Sequence, residues 1–429
     1  MALALVPRVW TLRDFLLAVF FVLGLSLGFI ALFPYDTVIL GPMTGVGGFA
    51  GLQLLILAAS WLLYMRARHT RWTDAGAVLL WATAALSIVL LRVQWTAAID
   101  PLADRDEALD VAWHGLIAGV GPYVQPTPLG NPISPLMGGI LLFGPFELLG
   151  LTEVFDVISL VIVGVVLVRV IGIRPTGALA AVLFASAAFR WEVVIESDGW
   201  INAAYVGLGV VWAAAAIRRP LHGWRSSLNV AASSIFLSTA IAYRIHFAIV
   251  LVPLLIWALR SVGRARALAW VIGVLSFATA LALAPLLAWP APFGPQHVSE
   301  FLPSRQVGGI VVLAGLCMAA ALLWLLSRVR SIEDVLRWTA LSIMGAFFLL
   351  GFSQVDWEAI GQAPLAAFTG YPPLFLKSFG TYALTANNGG VLFLGLLALT
   401  LPRGYLSSVK EEPPVASATQ PDSDLCSRP

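Results

Sequence analysis

The sequence predicts an all-α polytopic membrane protein, and three observations carry that prediction. Of its 429 residues, 59% are hydrophobic and only 11% are charged, whereas soluble domains carry roughly 25% charged residues. Apolar runs of about 18 residues or more, the length a helix needs to cross the hydrocarbon core, recur along the chain. The short alternating segments of an outer-membrane barrel are absent. The formal net charge of +2 gives no footing for nucleic acid. Cys317 lies in an apolar run and Cys426 in the polar tail. With no Cys-x-x-Cys or Cys/His grouping, neither a disulfide framework nor a structural zinc site is expected.

The elements follow in order. Arg8 and Arg13 precede the apolar run that begins after Asp14, within the first helix, 11–33, and no clear small-x-small cleavage site follows, so it reads as a retained membrane helix. Further helices are expected near 46–65, 76–97, 152–172, 176–196, 200–217, 227–244, 246–260, 267–288, 308–327, 336–353 and 389–402. Basic residues set the sidedness. Arg66, Arg68 and Arg71 mark one inner loop, and Arg169 and Arg174 a second. Arg218, Arg219 and Arg225 mark a third, Arg260, Arg264 and Arg266 a fourth, and Arg328, Arg330 and Arg337 a fifth; Arg403 and Lys410 lead into the tail.

These anchors require an odd number of crossings between the end of 76–97 and Arg169. Two apolar segments lie there, 133–150 and 152–172. The first is broken by Pro135, Gly138, Gly139, Gly144 and Pro145, and such breaks are tolerated in a re-entrant or interfacial segment. The count becomes about twelve spanning helices with both termini cytoplasmic and the protein in the plasma membrane. The external side then holds 98–132, the region of Asp198, the turn at Arg244–His246, and the loops 289–307 and 354–388. The organisation reads as two N-terminal helices (1–75), a module at 76–262, C-terminal helices at 263–407 and a disordered tail at 408–429, rich in Pro, Ser, Glu and Asp. No internal repeat is evident, which counts against a transporter built from inverted halves.

The segment "DPLADRDEALDVAWHGLIAGVGPYVQPTP" from Asp100 stands apart. Ala108, Leu109, Ala112, Trp113, Leu116 and Ile117 repeat at helical spacing. Asp104 followed by Glu107 has the shape of a capping box, and Asp106 falls in the first turn, where the helix dipole favours an ionised carboxylate. A short amphipathic helix from Asp104 to about Val120 is expected, lying on the external membrane surface. Acidic residues at such a start are also ordinary complements of the dipole. Arg244 sits where apolar runs meet, and an ionisable residue there is either functional or snorkelling to the interface.

"DRDEALDVAWHGLIAGVGPY" resembles the first external loop of GT-C glycosyltransferases, membrane enzymes that take a sugar from a polyprenyl-phosphate carrier. Asp106-Glu107-Ala108 fits the start of that motif and Gly121-Pro122-Tyr123 its end. "NPISPLMGGILL" from Asn131 resembles the segment that follows in the family, matching at Pro135-Leu136. "VRVIGIRPTGALAAVLFASAAFRWEVVIESDGW" resembles the next helix pair, whose external Asp would be Asp198. "STAIAYRIHFAIVLVPLLIW" resembles a later pair, with Arg244 in place of a Lys. The likeness covers roughly 76–262. Helices 11–33 and 46–65 precede the family's first helix, and Asp110 stands where many members have Tyr.

The resemblance implies a GT-C-like bundle and an inverting, single-displacement transfer to a glycan, lipid or protein acceptor. One carboxylate then suffices as general base, with Asp106 the first choice and Glu107 and Asp104 the alternatives. Arg244 would hold the carrier phosphate, and His246 would donate to it or sit as an interfacial histidine. Asp198 would orient the acceptor, hold a metal or cap a helix. Tyr123 would line the site with Lys377 and Tyr371, from "GYPPLFLKSFGTY", unless the latter two belong to an aromatic interface loop. Arg92 and Glu192 would pair inside the bundle. Hard oxygen ligands would suit Mg²⁺ or Mn²⁺, and no spacing demands either. Membrane lipids are the other expected partners. A transporter or lipid flippase, or a non-catalytic membrane subunit of the same fold, is the alternative.

Overall fold

The structure, a computed structural model, describes residues 74–79, 81, 82, 86, 105–128, 130, 133–185, 189, 199–219, 223–289, 329–354, 393–398 and 401. Among these residues all regular structure is helical and no strand occurs. The expected helices 11–33, 46–65 and 308–327, nearly all of the loop 354–388 and the tail 408–429 lie outside the described residues.

The helices are α1 (Arg105–Ile117), α2 (Met137–Leu148), α3 (Phe155–Ile171), α4 (Ile173–Ala185), α5 (Gly199–Arg218), α6 (Trp224–Ile241), α7 (Leu251–Ser261), α8 (Arg264–Ala288) and α9 (Ile332–Gln354). Three helical stretches are long and apolar enough to cross a membrane: Thr152–Ile171, Gly199–Arg218 and Arg264–Pro285. They coincide with the segments expected at 152–172, 200–217 and 267–288. Helix α2 is different. Its 12 residues rise about 18 Å, well short of a hydrocarbon core of roughly 30 Å, so it is too short to cross alone.

The pair expected at 227–244 and 246–260 is divided otherwise. Helix α6 stops at Ile241, a 3₁₀ stretch runs over Ile245–Val250, and α7 starts at Leu251. Pro253 then occupies the third position of α7, where a missing N–H is already without an intrahelical partner. The residues released between α6 and the 3₁₀ stretch give their carbonyls to α2.

Helix α5 is the spine of the bundle. Trp200, Ile201, Ala203, Ala204, Val206, Val210, Ala213 and Ala214 are all inaccessible or nearly so. Small side chains on α5 allow close helix approach, the usual device where the surroundings are as apolar as the core. Helix α6 runs antiparallel to α5. Asn202 donates to the Ala240 carbonyl at 2.7 Å near one end, and Trp212 donates to Asn229 at 3.0 Å near the other. Helix α8 runs parallel to α6: Ser238 donates to the Val274 carbonyl and Trp270 to the Ser234 hydroxyl.

The basic turns gather at one end. Arg266 donates to the Arg219 carbonyl at 2.9 Å, and Arg260 donates to the Val329 carbonyl. Arg174 pairs with Asp74 at 2.6 Å, so the start of the 74–79 helix meets the α3–α4 turn. These contacts bring together loops that the sequence assigns to one side. The opposite end is formed by the start of α5, the end of α6 and the start of α2.

Candidate functional site

Helix α1 forms because its apolar residues share one face. Leu109 and Ala112 are inaccessible and Ala108 is nearly so, Trp113 and Leu116 pack against the core, and Ile117 is exposed. The helix starts at Arg105, directly after Asp104, so Asp106 occupies the first turn as the sequence predicts. Asp104 and the side chain of Asp106 lie outside the described residues. Glu107 is half-buried, and its Oε2 is enclosed without a hydrogen bond from any described residue. Enclosed polar atoms are normally satisfied, so this oxygen is an acceptor in want of a donor.

The helix ends in two residues with left-handed backbone, Gly119 (φ 73°) and Gly121 (φ 105°). Both the Val120 and Gly121 amides bond to the Gly115 carbonyl, and the Trp289 indole donates to Gly119 at 3.0 Å. The end of α8 therefore holds the end of α1. Tyr123 follows and donates its phenol to the Pro135 carbonyl at 3.2 Å. Burial pushes the phenol pKa well above its ordinary value, so the group stays a neutral donor. It closes the loop between α1 and α2, a bracing role beside the substrate contact that the resemblance implies.

Helix α2 joins this loop to the basic turn. The Leu136 amide bonds to the Tyr243 carbonyl at 2.9 Å, and the Gly138 amide to Ala242 at 3.0 Å. Glycine is required for that approach. A Cβ on Gly138 would lie 2.1 Å from the Thr239 carbonyl oxygen, and one on Gly139 would lie 1.9 Å from the Tyr243 ring. The "SPLMGG" stretch is thus seated on the backbone that carries Arg244. Arg244 has an extended backbone (φ −139°, ψ 124°) and a half-buried side chain, with its guanidinium carbon 6.0 Å from the Tyr243 ring centre. His246 is half-buried with its ring against Phe247.

Of the residues chosen from sequence, Glu107, Tyr123, Arg244 and His246 are described fully, and the backbone of Asp106 with them. α1 packs on α2 and α2 on the Tyr243–Arg244 turn, which brings the acidic and basic segments to one end of the bundle. Asp198, Lys377, Tyr371, Arg92 and Glu192 lie outside the described residues; α5 begins one position after Asp198.

Two groupings escaped the sequence reading. One is buried: the Ser159 and Tyr205 hydroxyls bond at 2.9 Å between α3 and α5, with Asp156 nearby and 3% exposed. The other combines Asp110, His114 and Glu147, whose ligating atoms converge between α1 and α2. Asp110 and His114 stand one helical turn apart and were legible as a pair; Glu147 comes from another helix and was not. In comparisons with known proteins, no family model, no curated protein and no solved structure matches the chain.

Proposed function

We propose that the protein is an inverting membrane glycosyltransferase that moves a sugar from a polyprenyl-phosphate donor to an acceptor hydroxyl at the external face of the plasma membrane. In this reading the chain crosses about twelve times with both termini cytoplasmic. One observation supports it above the others: the acid-bearing helix α1 and the Arg244 turn are linked through α2 at the end of the bundle opposite the gathered basic loops. Positive-inside sidedness makes that end external.

Asp106 takes the proton of the acceptor hydroxyl, with Glu107 and Asp104 as alternatives for that role. The acceptor oxygen forms its bond to the anomeric carbon as the bond to the carrier phosphate breaks, and the phosphate leaves with the electron pair. Arg244 stabilises that developing charge, with His246 as a second donor. In this reading Glu107 Oε2, enclosed and without a hydrogen bond from the described residues, would accept from a sugar or acceptor hydroxyl once the substrate opens the site. Asp198, Lys377 and Tyr371 complete the proposed acceptor and carrier contacts.

Reconstituting the purified chain in liposomes with a labelled polyprenyl-phosphate sugar tests this. The expected result is sugar incorporated into an acceptor, abolished by Asp106→Asn while the variant still folds. Accumulation of intact donor or substrate across the bilayer, with no transfer, would replace the enzyme by a transporter.

A further inference from the structure

We propose that Asp110, His114 and Glu147 form a site for a divalent transition-metal ion, with Zn²⁺ the best fit, that ties α1 to α2. Asp110 and His114 lie one turn apart and so face the same way. The His114 imidazole lies between the two carboxylates: Nδ1 is 3.1 Å from both Asp110 Oδ1 and the Asp110 carbonyl oxygen, and Nε2 is 3.7 Å from Glu147 Oε1. One ligand atom from each of the three residues lies within 4.8 Å of the others. Metal bonds of about 2.1 Å in a tetrahedral site place ligand atoms about 3.4 Å apart. A bound ion would draw the three donors closer than the spacing they have here.

The surroundings point the same way. Among the described residues neither carboxylate meets an Arg or Lys; both share the one imidazole. A divalent ion between the two carboxylates would supply the positive charge that no described Arg or Lys brings there. The register that presents them is set by packing. Trp113, adjacent to His114, lies against Gly144, one turn before Glu147, and a Cβ at 144 would come within 2.3 Å of the Trp113 ring. The two helices are therefore held in register before any ion arrives. Asp110 and His114 are about half-exposed and Glu147 is 19% exposed, so the cluster is reachable from solvent.

The donor set selects the ion. Imidazole favours Zn²⁺ and its neighbours, whereas Mg²⁺ prefers a near-octahedral shell of oxygens. The site lies one to two turns along α1 from Asp106 and does not depend on the transfer reaction. Its effect is to fasten the acidic helix to the segment that bonds the Arg244 turn.

The full-length chain in detergent, stripped with chelator and titrated with Zn²⁺ by calorimetry, tests the proposal. Wild type is expected to bind one Zn²⁺ tightly and to melt at a higher temperature when loaded. His114→Gln, Asp110→Asn and Glu147→Gln keep side-chain size and are expected to weaken binding by more than the roughly 10–100-fold seen for outer-shell changes. They should also lose the melting shift, with helix content by circular dichroism unchanged. Absence of stoichiometric binding in wild type would overturn the proposal. So would wild-type affinity in all three variants, or Mg²⁺ bound more tightly than Zn²⁺.

Discussion

Helices α5 and α8 are both long and apolar, yet they live in different surroundings. In their most apolar stretches 89% of α5 residues are buried inside the protein and only 28% of α8 residues are. Helix α8 turns Leu268, Ile272, Leu275, Phe277, Leu283 and Leu287 outward. A contiguous apolar surface of that kind requires lipid or another protein against it. Helix α5 instead carries Gly207, Gly209 and a run of alanines into contact with neighbouring helices. The more buried helix is the less apolar of the two, with mean hydropathy 1.6 against 2.2. Gly207 and Gly209 let neighbouring side chains approach α5 closely, while α8 turns a bulky apolar face outward.

That contrast can be broken or sharpened by substitution. The largest effect is expected at Trp200, inaccessible on α5. Trp200→Ala removes a large buried ring and should cost about 3–5 kcal/mol, read as lost folded protein in a detergent melt. A loss of only about 0.5 kcal/mol at that position would instead place α5 at the surface. Gly138→Ala comes next, since its Cβ meets backbone and not a side-chain tip. Overpacking there should cost about 1–3 kcal/mol and loosen α2 from the Tyr243 turn, visible as faster amide exchange at Leu136 and Gly138. Gly273→Ala in α8 has open space around its new methyl. It should stabilise by about 0.5–1 kcal/mol through helix propensity, a small upward shift in melting temperature. Ile272→Ala, on the exposed face of α8, should stay within about 0.5 kcal/mol. A larger loss would show that α8 is covered by protein.

The same physics decides what was legible in the sequence. Helices over 152–171, 199–218 and 264–288 are visible as uninterrupted apolar runs because length and hydropathy are local properties. The helix from Arg105 is visible because Ala108, Leu109 and Ala112 repeat with its period. The break at Ala242–Arg244 is not, because those residues leave the helix to bond Leu136 and Gly138, about a hundred positions away. At the candidate site, Asp106 and Glu107 stand out as acids at a helix start and Arg244 as a charge between apolar runs. The way α2 connects them rests on contacts of Gly138 and Gly139 with another helix, which a single sequence does not display. Glu147 is not legible for the same reason: packing of Trp113 on Gly144 brings it to His114.

The most direct test of the central claim compares steady-state sugar transfer by wild type, Asp106→Asn and Arg244→Ala over a range of polyprenyl-phosphate donor concentrations. The prediction is that Asp106→Asn lowers kcat by about 100-fold or more with donor KM little changed, and that Arg244→Ala raises the donor KM and lowers kcat/KM. Transfer that proceeds at the wild-type rate and KM in both variants would contradict it.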